Sequence, residues 1–319
     1  MQLQPIVDLA ELEAYQAVQQ ISQAHDYPSL PADPLDQLLP RFHEPETLST
    51  RVERYLGIEG DQPVGVVDLH YSLLDNLTSA HLDVVVLPEQ RGRGYGRALL
   101  EHGLERGQKN GRHRFFLESA VPAATHLLTQ RGALVGQEAL RRRLDVTAGL
   151  PARVAVPAGY RVVQYVDRAP DDLADGLAHL QHRMSTDMPL GDLALEPEVW
   201  DATRLRDNEQ ETIDGNRLRV STVAVHDRSG YVAGLTDLIV NRTQPVGAEQ
   251  WATIVDPDHR GHGLGLVVKS WNHHHLATTS PTTAFVNTWN AASNTFMIRV
   301  NEQLGFQVME RWTEWQLDV

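Results

Sequence analysis

Two stretches of the chain, VVVLPEQRGRGYGRALL from Val84 to Leu100 and TIVDPDHRGHGLGLVVK from Thr253 to Lys269, align without a gap. The alignment pairs Val86, Pro88, Arg91, Gly92, Gly94 and Gly96 with Val255, Pro257, Arg260, Gly261, Gly263 and Gly265, so that Arg91 and Arg260 stand 169 residues apart. A repeat at that distance is too long for a solenoid unit and fits two complete domains of one design. The length agrees, because 319 residues suit two domains of about 150 residues each.

The surroundings repeat as well. In the first half, ELEAYQAVQQISQAH has a helical period, RVERYLGIEG and PVGVVDLHYSL read as strands across a turn, and SAHLDVVVL is the strand entering the motif. A helix over Tyr95–Lys109, the strand HRFFLES, a helix over Ala123–Gln130 and strands around Leu134 and Leu144 follow. The second half runs in the same order through DDLADGLAHLQHRM, RVSTVAVHD, YVAGLTDLIVN, QWATIVD and TTAFVNT. Each half is therefore α/β, a mixed and mostly antiparallel sheet flanked by helices. TAGLPARVAVPAGY, with two Pro, two Gly and no helical period, separates the halves, which places the domains at 1–148 and 149–319.

A buried strand that ends in a Gly-rich turn and opens into a helix aims several backbone N–H groups and the positive end of the helix dipole at one spot. That spot suits a phosphate, with Arg91, Arg93 and Arg97 adding charge at the rim. A Walker A loop requires Lys followed by Ser or Thr, and neither copy has a Lys there. A dinucleotide fingerprint requires a final Gly where Arg97 and Leu266 stand.

The pattern Arg-x-x-Gly-x-Gly after a strand resembles the pyrophosphate loop of the GNAT superfamily of acyl-CoA N-acyltransferases. The resemblance spans nearly the whole chain as two GNAT-like domains in tandem, a layout similar to the tandem acetyltransferases of actinobacteria. It implies acetyl-CoA, or another acyl-CoA, as cofactor. Its diphosphate would be bound by Arg91, Gly92, Arg93, Gly94, Tyr95, Gly96 and Arg97 in one half and by Arg260, Gly261, His262, Gly263, Leu264 and Gly265 in the other. The family's splayed strand, with an N–H beside the thioester carbonyl, falls on Val84 to Val86 and on Thr253 to Val255. NTWNAASNTFMIRVNEQLGF resembles the segment that passes the CoA arm, with Asn290 as a helix cap or ligand and Asn294 as the better ligand candidate. The tyrosine that many members use to protonate the leaving thiolate is Asn301 in this position, and about Leu128 in the first half.

The resemblance implies acyl transfer from CoA to an amine of a small molecule without a covalent intermediate. A chain with no cysteine is compatible with that. A carboxylate would free the amine of its proton, and Glu118, Asp83 and Asp237 are the candidates, each also readable as a solvated or paired strand residue. With 42 acidic against 28 basic residues the chain repels nucleic acid and anionic membranes, and no apolar run approaches the roughly 18 residues of a membrane span. The expected protein is cytoplasmic, a monomer or homodimer. His273 to His275 face different directions on a helix and do not converge on a metal, so none is expected. The acidic loops HDYPSLPADPLDQ and STDMPLGDLALEPEVWD occupy the places where GNAT domains build the acceptor pocket, and would suit a cationic acceptor. The rival expectation is a non-catalytic acyl-CoA-binding or sensing protein, favoured by the missing tyrosine.

Overall fold

A computed structural model describes residues 1–319. The chain divides into an N-terminal unit of Met1–Gln137, Gly191–Leu195 and Trp312–Val319, and a C-terminal unit of Glu138–Leu190 and Glu196–Arg311.

In chain order the first half comprises β1 (Gln2–Pro5), α1 (Leu9–Asp26), α2 (Leu35–His43), β2 (Thr50–Glu59), β3 (Gln62–Ser72), β4 (Ser79–Val86), α3 (Tyr95–Lys109), β5 (Arg114–Ser119), α4 (Pro122–Gln130) and β6 (Leu134–Asp145). The second comprises β7 (Tyr160–Val166), α5 (Ala174–Asp187), α6 (Ala202–Asp214), β8 (Arg217–His226), β9 (Val232–Asn241), β10 (Gly247–Val255), α7 (Leu264–Thr279), β11 (Phe285–Ala291), α8 (Thr295–Gln303) and β12 (Gln307–Asp318).

The N-terminal sheet has the order β1-β2-β3-β4-β5 and is completed by Thr313–Asp318 of β12 on β5. The C-terminal sheet has the order β6-β11-β10-β9-β8-β7, with Ala139–Asp145 of β6 on β11. In each unit the one parallel pair is short: β4 meets β5 only over Ser79–His81, and β10 meets β11 only over Gly247–Gln250. Beyond those residues the strands part, so N–H and C=O groups along the ends of β4 and β10 face a gap.

Local signals explain the helices that position these gaps. α1 starts on a capping box of Asp8 and Glu11 and buries Leu12, Tyr15 and Val18 along one stripe. α3 starts on left-handed Gly94 and packs Leu99, Leu100 and Leu104 into a core with Val67, Leu69, Leu82 and Phe115. α7 buries Leu264, Val267, Val268 and Leu276 in the same way.

The division differs from the boundary expected at Gly149. Polarity and Pro/Gly content mark Thr147–Tyr160 as a linker, but β6 already leaves the N-terminal unit at Gln137, and β12 passes the other way at Trp312. The strands expected around Leu134 and Leu144 are one strand, β6. β1, β7, α2 and α6 lie where the sequence reading placed no element: β1 has only four residues, and α2 carries Pro40 inside it. No helix is long and apolar enough to cross a membrane.

Candidate active site

Both Gly/Arg loops fold in one way. Gly92 and Gly94 have φ of 76° and 87°, and Gly261 and Gly263 have 84° and 71°, a region closed to most side chains. Gly94 and Gly263 stand as the caps of α3 and α7 with no side-chain cap bond. The N–H groups from Gly92 to Arg97, and from Gly261 to Gly265, donate to nothing in the chain. Such a set of free amides at a helix start is a fit for a diphosphate.

The arginines of the repeat act differently from the expectation. Arg91 donates through Nε to the Val86 carbonyl at 3.1 Å and through both terminal nitrogens to Asp26, at 2.7 and 2.5 Å. Arg260 repeats the pattern, with Nε on the Val255 carbonyl at 3.2 Å and Nη2 on Asp187 at 2.5 Å. Asp26 and Asp187 end α1 and α5, so each arginine ties the loop to a helix end, Arg91 with both arms of its fork and Arg260 through Nη2 alone. Burial pushes the Asp26 carboxyl up, and the bonds from Arg91 and His25 outweigh this and hold it below the usual range. Arg93 and Arg97 rest on Gln90 and Gln130 at 3.1 Å each and remain at the rim, as does exposed His262.

Asp83 and Glu118 come together. Asp83 lies on β4 and Glu118 on β5, each two residues past the paired His81 and Phe116, on one face of the parting strands. Glu314 of β12 is the cross-strand partner of Glu118. With His81, Leu193 and Leu195 these residues line a cleft whose cavity volume is about 140 Å³. Burial, reinforced by the charges of Asp83 and Glu314, raises the Glu118 carboxyl to about 7. Burial also raises Asp83 and Glu314, against the pull of His81 on the first and a bond from Gln137 on the second. Burial lowers His81, and lowers His70 to about 3, so these rings stay neutral beside the carboxylates. Glu314, Leu193 and Leu195 carry no local sign of this role, because each reaches the cleft from the far half of the sequence. Gly191–Leu195 comes from the loop expected to shape an acceptor pocket for the second half, yet it packs within the N-terminal unit.

Asp237 does not belong to such a site. It is 2% exposed, accepts from Ser221 at 2.6 Å and pairs with Arg219 at 3.5 Å. Its counterpart at the same offset, Asp68, is likewise enclosed, by Tyr15 and Arg54.

Strand register shows what the C-terminal unit has in place of the cleft. Ala80 pairs with Phe115, and Ala248 pairs with Val286, so Glu118 corresponds to Trp289. The cross-strand partner of Trp289 is Arg141, where the N-terminal unit has Glu314. Asp83 corresponds to the bulge at Trp251 and Ala252. The helix cap falls on Asn294 and not on Asn290. Asn294 caps α8, accepting from Met297 N–H at 3.1 Å, while Asn290 lies in β11 and accepts from Asn301 at 2.6 Å. Of the three histidines, His273 packs on Phe306 and His274 bonds the Pro151 carbonyl at 2.8 Å.

Residues 15–133 match the acetyltransferase (GNAT) family. Over 99% of this chain and 98% of its own, a tandem GNAT protein from the clavulanic acid biosynthesis pathway superposes with a TM-score of 0.82 at 25% identity. A GNAT acetyltransferase domain thus occupies residues 15–133 of the chain. Its two tandem GNAT-like domains also resemble proteins named mycothiol acetyltransferase. The one from Cellulomonas flavigena is 28% identical over 72% of this chain, and the match spans 64% of that relative's length. The one from Streptosporangium roseum is 27% identical over 85% of this chain and 89% of its own. GNAT acetyltransferases use acetyl-CoA, and the free amides of the two loops fit its diphosphate.

Proposed function

We propose that this GNAT protein transfers an acetyl group from acetyl-CoA to the primary amine of a small cationic molecule, and that the N-terminal unit performs the chemistry. The observation that carries the proposal is Glu118, a carboxyl poised at about 7 where β4 and β5 part, beside the anion loop of the same strand. Acetyl-CoA supplies the activated thioester. The chain must bind the amine, remove its proton and shield the reacting atoms.

Asp83 and Glu314 attract the ammonium form, and Leu193 and Leu195 give the cleft an apolar wall. An alkylamine of pKa near 10.4 costs about 4 to 5 kcal/mol to deprotonate at neutral pH. A base near 7 is ionised in about half of the molecules at neutral pH and is strong enough to take that proton. Outward N–H groups between Leu82 and Val86 face the gap and can hold an oxyanion, a contribution of about 3 kcal/mol for one donor. The names of the relatives support acetyl transfer.

A second reading applies to the C-terminal unit alone. With Trp289 and Arg141 where Glu118 and Glu314 stand, it has the loop of a CoA site without the base, which supports acyl-CoA binding without transfer.

The proposal is tested by thiol release from acetyl-CoA across a panel of aminoglycosides, polyamines, amino acids and other small amines. The chain has no cysteine to contribute background. At least one amine is expected to be turned over, and Glu118→Gln is expected to lower kcat/KM by about 10² to 10⁴. Turnover unaffected by that change would remove Glu118 as the base.

A further inference from the structure

Two positions that hold leucine in the N-terminal unit hold a lysine and an asparagine in the C-terminal one. Leu100 on α3 aligns with Lys269 on α7 through the repeat, and all four side chains at these two positions are at most 4% exposed. Leu128 on α4 corresponds to Asn301 on α8, because Ala133 N–H caps onto Leu128 as Phe306 N–H caps onto Asn301. Leucines pack there without penalty, whereas an amine removed from water with one hydrogen-bond partner opposes folding. The polar pair is therefore kept for something other than packing.

Lys269 Nζ donates to Asn301 Oδ1 at 2.7 Å, and Asn301 Nδ2 donates to Asn290 Oδ1 at 2.6 Å. The ammonium form of Lys269 sets the direction of this chain: it has donors only, so Asn301 turns its oxygen to Lys269 and its NH₂ to Asn290, which leaves the NH₂ of Asn290 without a partner in the chain. Asn290 is half-buried and lies two residues past Thr288, the last residue of β11 paired with β10, where the gap between these strands begins. The groups packed around Lys269 are His273 on its own helix, Asn301 on α8, and the Phe306 ring 5.1 Å away. Burial, with Lys269 and His274, lowers His273 to about 3, so it is neutral. Burial lowers Lys269 itself to about 7, and no carboxylate pairs with it. A buried amine without a counter-ion thus ends, through two aligned amides, in a donor at the strand gap.

We propose that Lys269, Asn301 and Asn290 form an anion site for the sulfur of coenzyme A in the C-terminal unit, favouring its thiolate. Lys269 and Asn301 are positioning residues, acting through the Asn290 amide. The proposal rests on the reading that the loop at Arg260 to Gly265 binds CoA.

Because the chain has no cysteine, every thiol in its complex with free CoA belongs to CoA. The ultraviolet absorbance of the thiolate, followed against pH in the complex, then reports the bound thiol pKa. Two CoA per chain are expected by calorimetry, one of them titrating at least about one pH unit below free CoA, as thiols do beside a cation. Lys269→Met and Asn301→Leu, which copy the apolar pair of the N-terminal unit, are expected to return that thiol to the free value while two CoA still bind. Lys269→Arg should keep the shift. Asn290→Ala, at a half-exposed position that leaves the buried pair intact, should also abolish it. Two bound CoA that both titrate as free CoA, or a low thiol pKa that persists in Lys269→Met and Asn290→Ala, would overturn the proposal. One CoA per chain would instead remove the C-terminal loop as a CoA site.

Discussion

Glu118 and Asp237 are both strand carboxylates, but Asp237 is buried in the core whereas Glu118 is exposed at the cleft, and different charges reach each. Asp237 is enclosed by Arg219 and Ser221 within the core, where burial outweighs them and raises its carboxyl. Glu118 has Asp83 and Glu314, so its charge is opposed and its proton held to about 7. Removing one like charge, by Asp83→Asn or Glu314→Gln, should move the acidic limb of the kcat/KM profile to lower pH, and a limb that stays in place would show that another group controls it. The stability consequence has a definite sign. A carboxyl that titrates near 4.3 unfolded and near 7 folded holds its proton more tightly when folded, so the stabilisation it lends is complete below the unfolded value and is lost as pH rises to about 7. Glu118→Gln should therefore be at least as stable as the parent at pH 8 in thermal unfolding, while being impaired in turnover.

At the scale of elements, the strand, turn and helix of each repeat form one device. Its amides are freed by left-handed glycines, and its position is set by an arginine that ties the turn to the end of α1 or α5. The shape of the turn thus depends on helices distant in sequence from the loop, and so would any phosphate binding by it. Asp26→Ala should weaken acetyl-CoA binding in the N-terminal unit nearly as much as Arg91→Ala, and the double variant should be little worse than either, with a coupling of about 1 kcal/mol or more for a partly buried bidentate pair. Additive losses in calorimetry would return Arg91 to direct contact with phosphate. The asparagines of the second half show the same dependence on elements: α8 starts at Thr295, so Asn294 is its cap and Asn290 stays on the strand.

At the scale of the molecule, each sheet takes its last strand from the other half of the sequence. Trp312, Trp315 and Leu317 are buried in the N-terminal unit, and Glu314 completes its cleft. Removing Trp312–Val319 should cost the N-terminal unit on the order of 5 kcal/mol, from two to three buried apolar side chains at about 1.5 to 3 each. It should also abolish turnover, as would a chain ended near Gly149. A truncated protein with unchanged unfolding temperature and activity would show that β5 needs no partner from β12.

The repeated loops were legible because strand, turn and helix start are adjacent in sequence, and glycine and the free amides act over a few residues. Asp83 and Glu118 were legible as strand carboxylates, and the sequence alone ranked them level with Asp237. Separating them required knowing which charges face each one, and Glu314 stands 196 positions beyond Glu118. By itself the sequence determined that there are two copies of one α/β plan, each with a Gly/Arg turn opening into a helix. Only tertiary structure decided where the copies divide, which arginine atoms are already engaged and which copy gathers carboxylates at its strand gap, because strand pairing and burial join residues whose separation along the chain leaves no local trace.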